Sequence, residues 1–149
     1  MVKDLKYLDT IDLFCQFSDQ LELAVNAPDY SFMQRRMDFM HEEVQELQEG
    51  LMLADDVEIV DGAAGVAFIA ITQIYHAFRN KGFGHVQSVV KTRSALLEVG
   101  KANIRKLPPT KPVEKIKKPE GWQSPNQKIA DLINEPWRKT LTNRSRNHV

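Results

Sequence analysis

Apolar residues recur at intervals of three and four along most of the chain, the repeat that sets them on one face of an α-helix and predicts an all-α fold. Ile11, Leu13, Phe14, Phe17, Leu21 and Val25 mark a first helix. It starts after Asp9-Thr10, either of which can cap it, and stops at the turn residues Asn26-Ala27-Pro28-Asp29. Ser31-Phe32-Met33-Gln34 reads as a capping box opening a second helix, along which Met33, Met37, Met40, Val44, Leu47 and Leu51 form a stripe. Gly50 is its expected C-cap, with residues 51–54 as the connection. A third helix runs from Asp55-Asp56 to Asn80. Its Gly62, Ala63, Ala64, Gly65 and Ala67 remove side-chain bulk, and each glycine costs about 1 kcal/mol of helix propensity against alanine, so the run predicts close approach of another helix or room for a ligand.

After the turn Lys81-Gly82-Phe83-Gly84, a fourth helix from His85 to Asn103 carries Val86, Val89, Val90, Leu96 and Leu97. Residues 107–125 hold five prolines and break the pattern. Ser124-Pro125-Asn126-Gln127 then starts a short last helix, with Pro125 at its first position and Ile129, Leu132 and Ile133 to bury. The expected architecture is a four-helix bundle-like core built on a helical hairpin, with a short C-terminal helix after a proline-rich segment. It forms one domain over residues 1–137, and residues 138–149 read as a disordered polar tail.

Composition narrows the setting. A chain of 149 residues can build one real core. The single Cys15 excludes an internal disulfide and fits a reducing cytoplasm. Asp4, Asp9 and Asp12 interrupt any basic-plus-apolar leader, and the uncharged run 62–78 carries Thr72, Gln73 and His76, as a buried helix does and a membrane span does not. Net charge is zero but unevenly placed: residues 1–61 hold fifteen acids and four bases, residues 62–149 sixteen bases and five acids. An acidic half and a basic half suit a phosphorylated substrate, and equally suit two halves that attract each other in the fold or across an oligomer. Arg144 and Arg146 read as solvated tail, so no nucleic acid is expected as a partner.

The candidate chemistry lies in two phrases, Glu43-x-x-Glu46 and Glu58-x-x-Asp61, separated by eleven residues. Residues three apart share a helix face, so a hairpin turn between the phrases lets four carboxylates converge. Without a counter-charge they repel, and a divalent cation with a preference for oxygen, Mg²⁺ or alternatively Mn²⁺, resolves that. At about 100° per residue, Glu43 and Glu46 border the apolar stripe while Glu42 points outward. Each acid also has a plain structural reading: Asp55 and Glu58 cap a helix, and Glu43 and Glu46 form a solvated flank with Arg36 as ion-pair partner. Asp61, opening the uncharged run, is the hardest to explain that way. His41, His76 and His85 lack ligand spacing and receive no role.

Two phrases follow in order: Asn103-Ile104-Arg105-Lys106, and Lys118-Pro119-Glu120-Gly121-Trp122-Gln123-Ser124-Pro125. With the acidic pairs and the Glu42-Glu43-x-x-Glu46-Leu47 phrase, this order resembles the all-α nucleoside triphosphate pyrophosphohydrolase superfamily, the MazG-like and phosphoribosyl-ATP pyrophosphohydrolase-like enzymes. The likeness covers residues 11–133. The spacer between the acidic pairs is short for that family, and Gly65 stands where some relatives carry a further Asp. The resemblance implies Mg²⁺-dependent cleavage of a nucleoside triphosphate between its α- and β-phosphates, giving a monophosphate and pyrophosphate. It implies Glu43, Glu46, Glu58 and Asp61 as metal ligands, Glu42 or Glu46 as the group that orients or deprotonates water, and Asn103, Lys106, Lys118 and Trp122 as substrate-binding residues. Asn103 can also simply terminate its helix, and Trp122 can anchor the proline-rich segment. The resemblance further implies a homodimer or homotetramer. The alternatives are phosphoribosyl-ATP hydrolysis and a non-catalytic helical scaffold that keeps the fold.

Overall fold

The computed structural model describes residues 6–25, 29–107 and 118–136. The expected turn at 26–28, most of the proline-rich segment and the polar tail lie outside them. Regular structure among the described residues is entirely helical: α1 (Thr10–Val25), α2 (Tyr30–Leu53), α3 (Asp56–Asn80), α4 (His85–Ile104) and α5 (Asn126–Asn134). The fold is all-α, a bundle-like core on the α2/α3 hairpin with a short C-terminal helix. The chain divides into two compact units, residues 1–96 and 97–149.

Capping chemistry accounts for most helix ends, with three differences from expectation. Asp9 Oδ1 accepts from the Asp12 N–H at 3.0 Å, as its position before α1 predicts. At α2 the cap is Asp29, whose Oδ1 accepts from Phe32 N–H at 2.9 Å, so the helix begins at Tyr30 and the Ser31–Gln34 box is not the start. Nor does Gly50 end this helix. Three more residues follow it, and the stop is Ala54, in the left-handed region at φ 49°, its N–H turned back to the Gly50 and Leu51 carbonyls. Asp55 then caps α3, accepting from Val57 and Glu58 N–H at 3.1 and 3.2 Å. The connection is two residues, Ala54 and Asp55. At the C-terminal helix, Pro125 stands just before the first helical residue, Asn126, whose N–H donates to Ser124 Oγ at 3.3 Å.

Gly50 is spent on packing instead. A methyl group on it would lie 2.9 Å from the Ile59 backbone nitrogen, and one on Gly62 would lie 2.7 Å from that of Leu47. Both are closer than carbon atoms approach a backbone, so α2 and α3 touch main chain to main chain. Gln73 Nε2 adds a hydrogen bond to the Met33 carbonyl at 2.8 Å.

The inward face of α1 is not its apolar stripe. Cys15, Ser18 and Glu22 are buried, whereas Phe17 and Val25 are exposed. Cys15 packs with Tyr75 and Val89, and burial pushes its thiol up to about 11, as suits an inert core cysteine. Ser18, Thr72 and Thr92 satisfy their hydroxyls on carbonyls of their own helices at 2.7–3.0 Å. Phe68 of α3 meets Phe14 and Phe17 edge-on at 4.8 and 5.0 Å between centroids.

Glu22 is the charged centre of this unit. It is 5 % exposed, its Oε1 lies 2.7 Å from His76 Nδ1, and its Oε2 accepts from Arg79 Nε at 2.9 Å. Burial by itself would raise its carboxyl, but the two hydrogen bonds and the charges behind them outweigh that and hold it below the ordinary 4.5. A depressed carboxyl contributes stability that is complete above the unfolded value and is lost as pH falls through the folded one. Glu22→Gln is therefore expected to cost about 2–3 kcal/mol at neutral pH and to flatten the stability loss below about pH 4.5, as read by urea unfolding across pH. Gly62→Ala, which forces a methyl group against backbone, is expected to lower stability by about 1–3 kcal/mol in the same titration.

Candidate functional site

The hairpin register decides where the acidic side chains stand. Gly50 lies against Glu58 and Ile59, Gly62 against Leu47, and Gly65 against Glu43. Glu58 is therefore level with Gly50 near the turn, while Asp61 and Glu46 stand close to one level beside Gly62 and Leu47. Glu43 sits farthest from the turn, level with Gly65. At about 1.5 Å per residue the four acids are spread over roughly 10 Å of the hairpin. The sequence spacing lets the four carboxylates converge as partners across a turn that follows Gly50. Extension of α2 past Gly50 moves the turn to Ala54–Asp55 and shifts those partners by part of a helical turn. Among the described residues no three His, Cys, Asp or Glu side chains come together closely enough to hold a metal ion.

Glu42, Glu46, Glu58 and Asp61 are exposed, and Glu43 is half-buried. The Glu43 carboxylate lies over Gly65, where an added methyl group would fall 1.9 Å from its Oε2. Gly65 is thus the cradle for this carboxylate. No cation or hydrogen-bond donor engages the side chains of these five acids among the described residues. The ion pair expected from Arg36 does not form: Arg36 is buried near the start of α2, and its Nε has no partner. All the donors offered here are carboxylate oxygens, the ligand type that Mg²⁺ or Mn²⁺ takes in preference to a softer metal, although they do not converge on one point.

In the second unit the structure gathers the four residues assigned to substrate. Asn103 Nδ2 donates to the Val99 carbonyl at 2.9 Å, and its Oδ1 accepts from Lys106 Nζ at 3.1 Å. Lys106 and Lys118 place their ammonium groups 4.5 and 5.2 Å from the Trp122 ring centroid. Trp122 Nε1 donates to the Ala102 carbonyl at 2.6 Å, so the indole is pinned to α4. The tight turn before it closes through Trp122 N–H to the Pro119 carbonyl at 3.0 Å, with Gly121 at φ 73°. Trp122 therefore ties residues 118–125 to α4, and it also walls a cavity of about 590 Å³ lined by Glu98, Lys101, Arg105, Gln123 and Lys128 among others.

Sequence reasoning missed Lys101, Arg105 and Lys128. The first two are four apart near the end of α4, a spacing that puts them on one face, but nothing in the sequence says that α5 brings a third cation to the same walls. His76, given no role from spacing, lies 2.7 Å from the buried Glu22 carboxylate; its position three residues before Arg79, at the end of the uncharged run 62–78, was the available signal.

No family model matches the chain, and no curated protein and no solved structure is significantly similar to it.

Gly65→Ala tests the cradle. The obstructing atom is the free end of a flexible side chain, so Glu43 is expected to swing aside and stability to hold or rise by up to about 1 kcal/mol, opposite in sign to Gly62→Ala in the same urea titration.

Proposed function

We propose that the protein is a cytoplasmic, Mg²⁺-dependent nucleoside triphosphate pyrophosphohydrolase that releases a nucleoside monophosphate and pyrophosphate. The observation that carries this reading is the set of uncompensated carboxylates on one hairpin, Glu42, Glu43, Glu46, Glu58 and Asp61, where Asp9, Glu22 and Glu98 elsewhere each hold a cation. Five such charges spaced over a few helical turns generate a field that draws in a divalent cation and its nucleotide. Glu43, Glu46, Glu58 and Asp61 are the ligands in this proposal. The ion, when bound, neutralises phosphate oxygens and makes a coordinated water more acidic.

Glu46, or Glu42 from the outward face, accepts the proton of the attacking water, whose oxygen bonds to phosphorus as the bridging P–O bond between the α- and β-phosphates breaks. Lys106 and Lys118 hold phosphate oxygens as point charges, Asn103 bonds sugar or phosphate, and Trp122 packs on the base. The assembly proposed is a homodimer or homotetramer. Leu51, Met52, Leu53, Val57 and Val60 are 60–85 % exposed around the hairpin turn, an apolar surface that a second copy would cover.

The spread of the acids along the hairpin favours a second reading, a helical scaffold without catalysis. Pyrophosphate release from a panel of ribo- and deoxyribonucleoside triphosphates with Mg²⁺ or Mn²⁺ separates the two. Turnover is expected, with Glu46→Gln lowering kcat by roughly 10²–10⁴-fold at unchanged circular dichroism. Turnover of phosphoribosyl-ATP alone would move the activity to that neighbouring substrate. Absence of turnover and of any calorimetric Mg²⁺ binding, with Asp61→Asn behaving as the parent protein, would leave the scaffold.

A further inference from the structure

We propose that the cavity in the second unit is a nucleotide-binding site that works without a metal, with phosphate oxygens held by Lys101, Arg105 and Lys128. This inference uses none of the hairpin carboxylates, but it shares Trp122 with the hydrolase reading and differs from it in assigning the phosphates to Lys101, Arg105 and Lys128.

The walls supply the argument. Lys101 and Arg105 lie four residues apart near the end of α4, and Lys128 faces the same cavity from α5. Lys101 is paired with Glu98 at 3.1 Å, but Arg105 and Lys128 have no acid partner among the described residues. Two of these cations have an ordinary structural use, because positive charge near a helix C-terminus is favourable. Lys128 has no such use. It stands in the first turn of α5, where the helix dipole disfavours a cation, and that turn contains no acid and no side-chain cap from its Pro125 start. A cation held against the dipole at a helix start, beside an unpaired guanidinium, is the arrangement that phosphate oxygens stabilise.

The rest of the lining identifies more than a bare anion. The volume, about 590 Å³, falls within the range of about 300–1,000 Å³ typical of organic ligands and exceeds what a phosphate group fills. Trp122, fixed by its bond to the Ala102 carbonyl, and Pro119 give a rigid apolar wall against which a base can pack. Glu98, Glu120 and the Gln123 amide add acceptors on the same walls, which ribose hydroxyls and base amino groups satisfy and inorganic phosphate does not. The surrounding sequence is basic as well: residues 97–149 hold twelve Lys and Arg against five Asp and Glu.

The test uses the full chain in EDTA, with Trp137, the other tryptophan, changed to Phe so that Trp122 reports alone. Titration with ATP, and separately AMP, is expected to give saturable quenching. Arg105→Ala combined with Lys128→Ala is expected to raise Kd roughly tenfold or more. Lys128→Glu is the stricter variant, because an acid suits the first turn of α5 and any loss of binding is then not a loss of fold. Inorganic pyrophosphate is expected to compete more weakly than ATP. The proposal is overturned by absence of saturable quenching with either nucleotide, by an unchanged Kd in the double variant and in Lys128→Glu, or by pyrophosphate binding as tightly as ATP.

Discussion

Where α2 runs against α3, main chain meets main chain, and that closeness sets the register on which the first unit depends. Gly50 and Gly62 each leave a gap that no side chain can enter, and the opposing backbone atoms of Ile59 and Leu47 occupy it. Two contacts of this kind on opposite helices fix both the separation and the sliding position of the hairpin, as a single contact would not. The heights of Glu43, Glu46, Glu58 and Asp61 follow from that register, and so does the seat of the Glu43 carboxylate on Gly65. Two glycines in a helix interior cost propensity; the close approach they permit is the compensation.

Burial in this unit runs against the usual preference. Ser18, Thr72, Thr92, His76 and Glu22 are inside, while Phe39, Leu51, Met52, Leu53, Val57 and Val60 are outside. The interior remains tenable because its hydroxyls bond their own helices and the buried Glu22 carboxylate is held by Arg79 and lies against the His76 ring. The exposed apolar surface has no such internal remedy. Leu51, Met52, Leu53, Val57 and Val60 lie around the hairpin turn, which also carries Glu58 and Asp61, so whatever covers these residues stands next to the acids.

Most helix boundaries were legible in the sequence because they are local: Asp9 and Asp55 cap where their position says they should, and α3 spans the residues its composition marks. The cap of α2 was misplaced by two residues because Asp29 and Ser31 both suit the role, and only backbone geometry chooses between them. Gly50 misled for a different reason. A glycine near a helix end reads as a stop, and its use in packing depends on Ile59, a residue on the other helix. The same limit governs the sites. The phrases naming Asn103, Lys106, Lys118 and Trp122 are visible in one dimension and do gather in space, whereas Lys101, Arg105 and Lys128 share a wall only once α5 has turned back on α4.

The tightest packing in the first unit is also the most local. The glycine contacts join residues about eight, fifteen and twenty-two positions apart, so the hairpin can close with little loss of chain entropy before distant segments arrive. The Glu22 pairs, by contrast, span more than fifty residues and wait for α1 to return to α3. Loop-closure entropy therefore favours the acid-bearing hairpin forming first, with the Glu22 pairs closing after it.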